Sequence, residues 1–142
     1  MSTNKKTTVF LGGTCNGSLW RDTLIPLFDA NKVEYFNPVL PPGVKWDETY
    51  KQSEIKARNS SDIVLYVITP KMTGFYSVAE VVEDSNKRPE KTIFCFLEKD
   101  GDAEFSAHQN KSLIATGDLV KNNGAKAFKT IEQLAEYVNS HP

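Results

Sequence analysis

The sequence predicts a doubly wound α/β domain built on a parallel sheet. Three observations carry that expectation. Short apolar runs alternate with amphipathic stretches along the chain, the pattern of strands joined by crossover helices. One run, Asp62-Ile-Val-Leu-Tyr-Val-Ile-Thr69, is apolar on both alternating faces, as a strand covered by helices on both sides must be. Glycines fall just after the first strand candidate, where a tight turn into a helix needs them.

Taken in order, Thr7 to Gly12 (TTVFLG) reads as the first strand. Ser18 can cap a helix running to about Ala30, with Leu19, Trp20, Leu24, Leu27 and Phe28 as its apolar face; Trp20 among these leucines reads as core. Val33 to Phe36 is the second strand. Asn37 to Trp46 is a proline-rich loop, longer than a strand-to-helix turn requires. Asp47 caps a polar helix to about Asn59, Asp62 to Thr69 is the third strand, and Ser77 to about Asn86 the third helix. Thr92 to Leu97 (TIFCFL) is the fourth strand. A helix is expected near Ala103 to Ala115, followed by a polar stretch ending in Asn122-Asn-Gly. Ala125 to Phe128 is a short fifth strand, and Thr130-Ile-Glu-Gln133 is a capping box for a last helix through Ser140. Residues 1–142 thus form a single domain, with a flavodoxin-like or Rossmann-like sheet of about five parallel strands in the order 2-1-3-4-5. Its ligand crevice lies between strands one and three.

Bulk properties narrow the function. A chain of 142 residues with 39% hydrophobic and 25% charged residues and a net charge of −1 is an ordinary globular domain. It has no basic run to attract a nucleic-acid polymer and no apolar segment of membrane-spanning length. A polar N-terminus without a signal-peptide core points to the cytoplasm, where Cys15 and Cys95 stay reduced. No His/Cys/Asp cluster has metal-ligand spacing, and no cofactor motif is present. His108 and His141 give Cys15 no plausible base, so a Cys–His couple is not expected.

Chemistry concentrates in two loops that the fold brings together, Gly12 to Ser18 and Pro70 to Tyr76. The first, Gly12-Gly-Thr-Cys-Asn-Gly-Ser18, is neither a Walker A loop nor a G-x-G-x-x-G fingerprint. Its glycines admit a ligand to the backbone, or serve only a tight turn. Asn16 and Arg21 can touch substrate, although an arginine in a first helical turn is more often solvated. The second loop leads to Glu80. Ser77-x-x-Glu80 fits a capping box, and the same carboxylate, held ionised near a helix N-terminus, is also what attack on an anomeric carbon requires. Both readings stand on spacing alone. Trp46 and Tyr50 flank the proline-rich loop, where they can stack on a base or pack the loop onto the core.

The run Asp62-Ile-Val-Leu-Tyr-Val-Ile-Thr-Pro…Gly74…Ser77-Val-Ala-Glu80, with the Val9-Phe-Leu-Gly-Gly13 strand and Lys91 to Leu97, resembles the nucleoside 2-deoxyribosyltransferases. Gly12-Gly-Thr-Cys-Asn-Gly-Ser-Leu-Trp-Arg21 and Tyr66-Val-Ile-Thr-Pro-Lys-Met-Thr-Gly74 look like the divergent branch described as nucleoside 2-deoxyribosyltransferase-like. The resemblance covers roughly Thr7 to Leu97. It implies that Glu80 is the nucleophile on C1′ and Glu54 the acid that meets the leaving base, with Asp62 structural at the start of its strand. Gly12, Gly13, Asn16, Trp46, Thr73, Gly74, Tyr76 and Ser77 would contact a small-molecule nucleoside or nucleotide. The family's strand-one tyrosine falls on Phe10, and its deoxyribose-contacting acid on Gly74. The resemblance implies an N-glycosidic transferase or hydrolase that works without a cofactor and assembles as a homo-oligomer. Two alternatives remain at this point: a nucleotide-binding or signal-sequestering module without turnover, and a Toll/interleukin-receptor-type nicotinamide dinucleotide glycohydrolase.

Overall fold

The computed structural model describes residues 5–15, 17–41 and 43–141. Its main sheet has five parallel strands: β1 (Thr7–Gly13), β2 (Val33–Phe36), β3 (Ile63–Ile68), β4 (Thr92–Phe96) and β5 (Lys126–Phe128). Their spatial order is β2-β1-β3-β4-β5, as the sequence predicts. β3 is buried at every position because helices cover both faces. On one side, Val9, Leu11, Leu65, Val67 and Cys95 pack against α1 (Trp20–Leu24) and α5 (Ile131–Asn139). On the other, Phe10, Val64, Tyr66, Ile68 and Phe94 meet α2 (Glu48–Ser60), α3 (Tyr76–Lys87) and α4 (Ala107–Asn122). Strict alternation along β3 therefore divides its side chains between two cores.

Local chemistry explains the boundaries. Asp47 caps α2 by accepting from the Tyr50 N–H, and Thr130 and Gln133 form the anticipated capping box of α5. Asp62 accepts from both the backbone N–H and the hydroxyl of Thr8, at 2.9 and 3.1 Å. It ties the start of β3 to β1, a structural part that matches its assignment from the sequence. Burial works to raise the Asp62 pKa, but the Thr8 bonds together with the charges of Lys5 and Lys91 outweigh it and hold the carboxyl below its usual value.

Three elements differ from the sequence expectation. The first helix is only Trp20–Leu24 and passes into a 3-10 turn, Ile25–Leu27. Pro26 has no N–H to continue the α-helical ladder. Ser18 does not cap it; its hydroxyl bonds the Asp100 carboxylate instead. The helix expected near Ala103 to Ala115 starts later and runs further, as α4. Ala103 and Glu104 pair with Lys99 and Asp100 in a short antiparallel ladder, and a Ser106–Gln109 capping box then opens the helix. α4 runs on through Gly117, which lies against the Phe94 ring, and Gly124, at φ 102°, follows its end. Arg21 is buried, at 4% exposure, rather than solvated. Its guanidinium donates to the Leu11 carbonyl from Nε and Nη2 and to the Thr14 carbonyl from Nη1, at 3.1, 2.9 and 2.7 Å. Trp20 is core, as anticipated, and its indole N–H reaches the same Thr14 carbonyl. Burial pulls the Arg21 pKa below the ordinary arginine value.

The end of β1 is thus stitched shut. Thr14 N–H bonds the Val67 carbonyl, and its hydroxyl accepts from the Thr69 N–H, both at 2.9 Å. Gly13 sits at φ 124° with the Val67 backbone where a Cβ would project. Two substitutions test this junction. Gly13→Ala should destabilise by more than about 3 kcal/mol, through steric overlap with backbone that has nowhere to move. Arg21→Met should cost about 1–3 kcal/mol by removing three buried hydrogen bonds to the Leu11 and Thr14 carbonyls. Chemical denaturation reads both; losses under about 1 kcal/mol would show that the junction relaxes freely.

Candidate functional site

A cleft of about 240 Å³ opens at the carboxyl ends of β1 and β3, the place where open parallel sheets bind ligands. Gly13, Thr14 and Cys15 line one side, and Thr73, Gly74, Tyr76 and Ser77 the other, with Ile68 and Met72 between them. Five of the residues singled out from the sequence therefore meet here: Gly13, Thr73, Gly74, Tyr76 and Ser77. Asn16 lies outside the described residues. Gly12 is not part of the lining. It lies beneath Tyr66 and Phe10, and a Cβ there would come within 2.5 Å of the Tyr66 ring. Cys15, in the first crevice loop as the sequence places it, lines the cleft and is exposed, and Cys95 is buried; both are free thiols. Burial, and then the charge of Glu132, push the Cys95 thiol up to about 12, which makes it inert at neutral pH.

Glu80 stands one turn beyond Ser77 on the same face of α3. The capping-box alternative fails on geometry. α3 begins at Tyr76, its cap residue is Phe75, and no side-chain cap bond forms. The helix starts two residues earlier than that motif requires, so Glu80 has no cap to bond back to. The Glu80 side chain is only 11% exposed, and its nearest cation is Arg58, Nη1 to Oε2 at 3.6 Å. Burial raises the Glu80 carboxyl; Arg58 pulls it down; Glu54, Asp84 and Glu83 push it up again. The balance is a pKa of about 7.

Glu54 comes from the middle of α2 on the facing element. It is half-buried, and its charge acts on Glu80. Burial raises its own pKa, against a hydrogen bond from Trp46 and the charges of Arg58 and Arg21. Trp46, on the proline-rich loop and 57% exposed, reaches Glu54 through that bond rather than packing into the core. Neither acid nor Trp46 lines the small cleft itself; they stand beside it along the α2–α3 seam. The arrangement brings together two carboxyls whose pKa values burial raises, a cleft edged by polar groups and an exposed indole.

Sequence reading missed the group that organises this seam. Asp84, one turn beyond Glu80, is fully buried. It accepts from the Tyr66 hydroxyl at 2.5 Å, from Arg58 at 3.0 and 3.1 Å, and pairs with Arg88 at 3.2 Å. The signal was available: Asp84 falls four residues after Glu80, on the same helix face. Phe10, where the resembled family has a tyrosine, stacks on Phe36 and lies 6.2 Å from the Tyr66 ring. At Gly74 an added Cβ meets nothing within 4 Å, so the missing acid is not a steric matter. Among the described residues, no group of three or more His, Cys, Asp and Glu could hold a metal ion, and no helix is long and apolar enough to cross a membrane.

The Glu80 environment has a consequence for stability. Its folded-state pKa lies above the unfolded value, so the folded protein keeps a proton that the unfolded chain releases between about pH 4.5 and 7. Stability falls as pH rises through that window, by about 3 kcal/mol in all, and is level above it. Glu80→Gln should therefore melt several degrees above the native protein at pH 8, with the margin vanishing towards pH 4.5. A margin that is equal at both pH values would contradict the assignment.

Comparisons with known proteins bear on the family and the fold. The family model "Nucleoside 2-deoxyribosyltransferase like" matches residues 6–99, well over half of the chain. No curated protein sequence matches. Among solved structures, a conserved protein from Enterococcus faecalis V583 is similar at 13% identity with a TM-score of 0.52, over 94% of this chain and 98% of that one. That likeness speaks to the fold alone. The family match spans β1, the crevice loops, β3, α3 and β4, and on it the chain belongs to the nucleoside 2-deoxyribosyltransferase-like family.

Proposed function

We propose that this protein breaks an N-glycosidic bond of a (deoxy)nucleoside or nucleotide through a glutamate nucleophile, as a transferase or a hydrolase. The observation that carries the reading is Glu80: a nearly buried carboxyl beside the β1–β3 crevice, free of any capping duty, with a pKa of about 7. A carboxylate of raised pKa is a better nucleophile once ionised, and near neutral pH about half of it is ionised.

The step runs as follows. An Oε of ionised Glu80 attacks C1′ of the sugar, and the C1′–N bond breaks with its electron pair going to the base. The Glu54 carboxyl, its pKa raised by burial, delivers a proton to the departing base nitrogen. A glycosyl ester on Glu80 remains, and a second base or water resolves it, with Glu54 taking the proton back. Trp46, exposed and one hydrogen bond from Glu54, offers a face on which a base can stack. Backbone at Gly13 and Gly74 and the hydroxyls of Ser77 and Tyr76 supply polar contacts for the sugar and its 5′ substituent.

Two features favour a second reading as a nucleotide-binding module without turnover. Phe10 and Gly74 lack the polar groups the resembled enzymes carry there. One experiment separates the readings. The protein is incubated with deoxynucleosides, deoxynucleotides and nicotinamide dinucleotide, and base release is followed. The enzyme reading predicts release from one class, reduced at least about 10³-fold by Glu80→Gln. It also predicts a rate that falls as pH drops below about 7, as the nucleophile is protonated. A compound that raises the melting temperature without turnover establishes the binder. Release that survives Glu80→Gln removes Glu80 from the mechanism.

A further inference from the structure

We propose that Arg58 is the positioning residue for Glu80, and that Tyr66 and Asp84 lock its guanidinium so that one terminal nitrogen, Nη1, rather than its two-pronged edge, faces the Glu80 carboxylate. The inference rests on the nucleophilic reading of Glu80 and adds the device that keeps this carboxylate both ionisable and free to attack.

Arg58 lies near the end of α2 with a side chain 14% exposed. Its Nε and Nη2 grip the two Asp84 oxygens at 3.1 and 3.0 Å, the bidentate arrangement that guanidinium geometry favours. Tyr66 closes the lock from β3: its hydroxyl donates to Asp84 Oδ2 and accepts from Arg58 Nε at 3.0 Å. Nη2 also reaches Glu83 Oε1 at 3.1 Å and the Glu80 carbonyl at 3.5 Å. What remains for the Glu80 carboxylate is Nη1, at 3.6 Å, beyond a normal hydrogen bond. A bidentate pair between Arg58 and Glu80 would engage both carboxylate oxygens and blunt their nucleophilicity. With the fork committed to Asp84, Glu80 feels the positive charge while its oxygens stay available.

The arrangement also accounts for residues with no other part in the chemistry. Asp84 has zero exposure and lies outside the cleft lining, so it cannot meet substrate. Gly12, conspicuous in the sequence, makes the space in which the Tyr66 ring sits. The charged and titratable groups that act on Glu80 are Arg58 and Glu54 from α2, Glu83 and Asp84 from α3, and Tyr66 from β3. Of these, only Arg58 is positive.

Carbon-13 NMR of the glutamate carboxyl carbons tests the idea, with the Glu80 signal assigned by its loss in Glu80→Gln. The native midpoint is expected near pH 7. Tyr66→Phe changes no formal charge and keeps the ring against Phe10, but it opens the lock. Arg58 then keeps only its carboxylate and Glu80-carbonyl bonds. The less constrained guanidinium should shift towards the Glu80 carboxylate and lower its midpoint by about one pH unit or more. Arg58→Met removes the cation and should raise the midpoint by a similar amount. The acid limb of the base-release profile should move with the NMR midpoint in each variant, and Tyr66→Phe should lower kcat with KM nearly unchanged. A folded Tyr66→Phe protein whose Glu80 midpoint stays put overturns the proposal, and this holds even if Arg58→Met fails to fold. If the native protein releases no base from any substrate, the proposed activity fails instead, while the NMR titration still decides whether Arg58 controls Glu80.

Discussion

A fully buried carboxylate, Asp84, is the constraint around which this half of the molecule is organised. An unpaired charge in that position would cost several kcal/mol, so the fold must bring partners to it from elsewhere. It brings Tyr66 from the central strand, Arg58 from α2 and Arg88 from the end of α3. Those partners join the two helices that flank the crevice and fix the spacing between Glu54 and Glu80. Satisfying Asp84 thus delivers a cation to the edge of Glu80. Burial then does the rest, lifting the Glu80 carboxyl to about 7 while its neighbour Glu54 is lifted in the same way. Two interacting acids titrate as a pair, and their raised pKa values suit a reaction that needs one carboxyl to attack and another to give up a proton.

The sheet was legible in the sequence because its determinants are local. Continuous apolarity in Ile63–Ile68, the Gly12-Gly13 pair closing β1 and the Thr130–Gln133 capping box each specify structure over a few residues. Alternation of such strands with helices implied the flavodoxin-like order that the sheet adopts. Where the reading failed, a single residue overrode the wider pattern. Pro26 cut the first helix to five residues despite an apolar face that extends to Phe28. Ser106 and Gly124, not the polarity of the segment between them, mark the ends of α4. Arg21 was misjudged because its partners are backbone carbonyls of β1, and carbonyl acceptors leave no trace in side-chain spacing.

The site was legible only where chemistry follows the chain. Glu80 and its step from Asp62 stand out by spacing, and the structure places Asp62 on Thr8 as a strap between strands. The competing capping-box reading could not be decided from spacing; it depended on whether α3 begins at Tyr76 or two residues later. Glycines were harder to interpret. Gly13 is required by backbone conformation, Gly12 by the Tyr66 ring, and Gly74 by neither. The Arg58–Tyr66–Asp84 cluster joins residues 8, 18 and 26 positions apart across three elements, and only the tertiary fold assembles it.

The central claim is that Glu80 forms a covalent bond to the sugar. Rapid acid quenching during turnover of whichever nucleoside or nucleotide releases its base, followed by trypsin and mass spectrometry, examines it directly. Cleavage after Lys71 and Lys87 isolates Met72 to Lys87, which carries Glu80, Glu83 and Asp84. The account predicts that this peptide gains the mass of the glycosyl group and that fragmentation places it on Glu80. An unmodified peptide from an actively turning-over sample, or a glycosyl group on another residue, would contradict it.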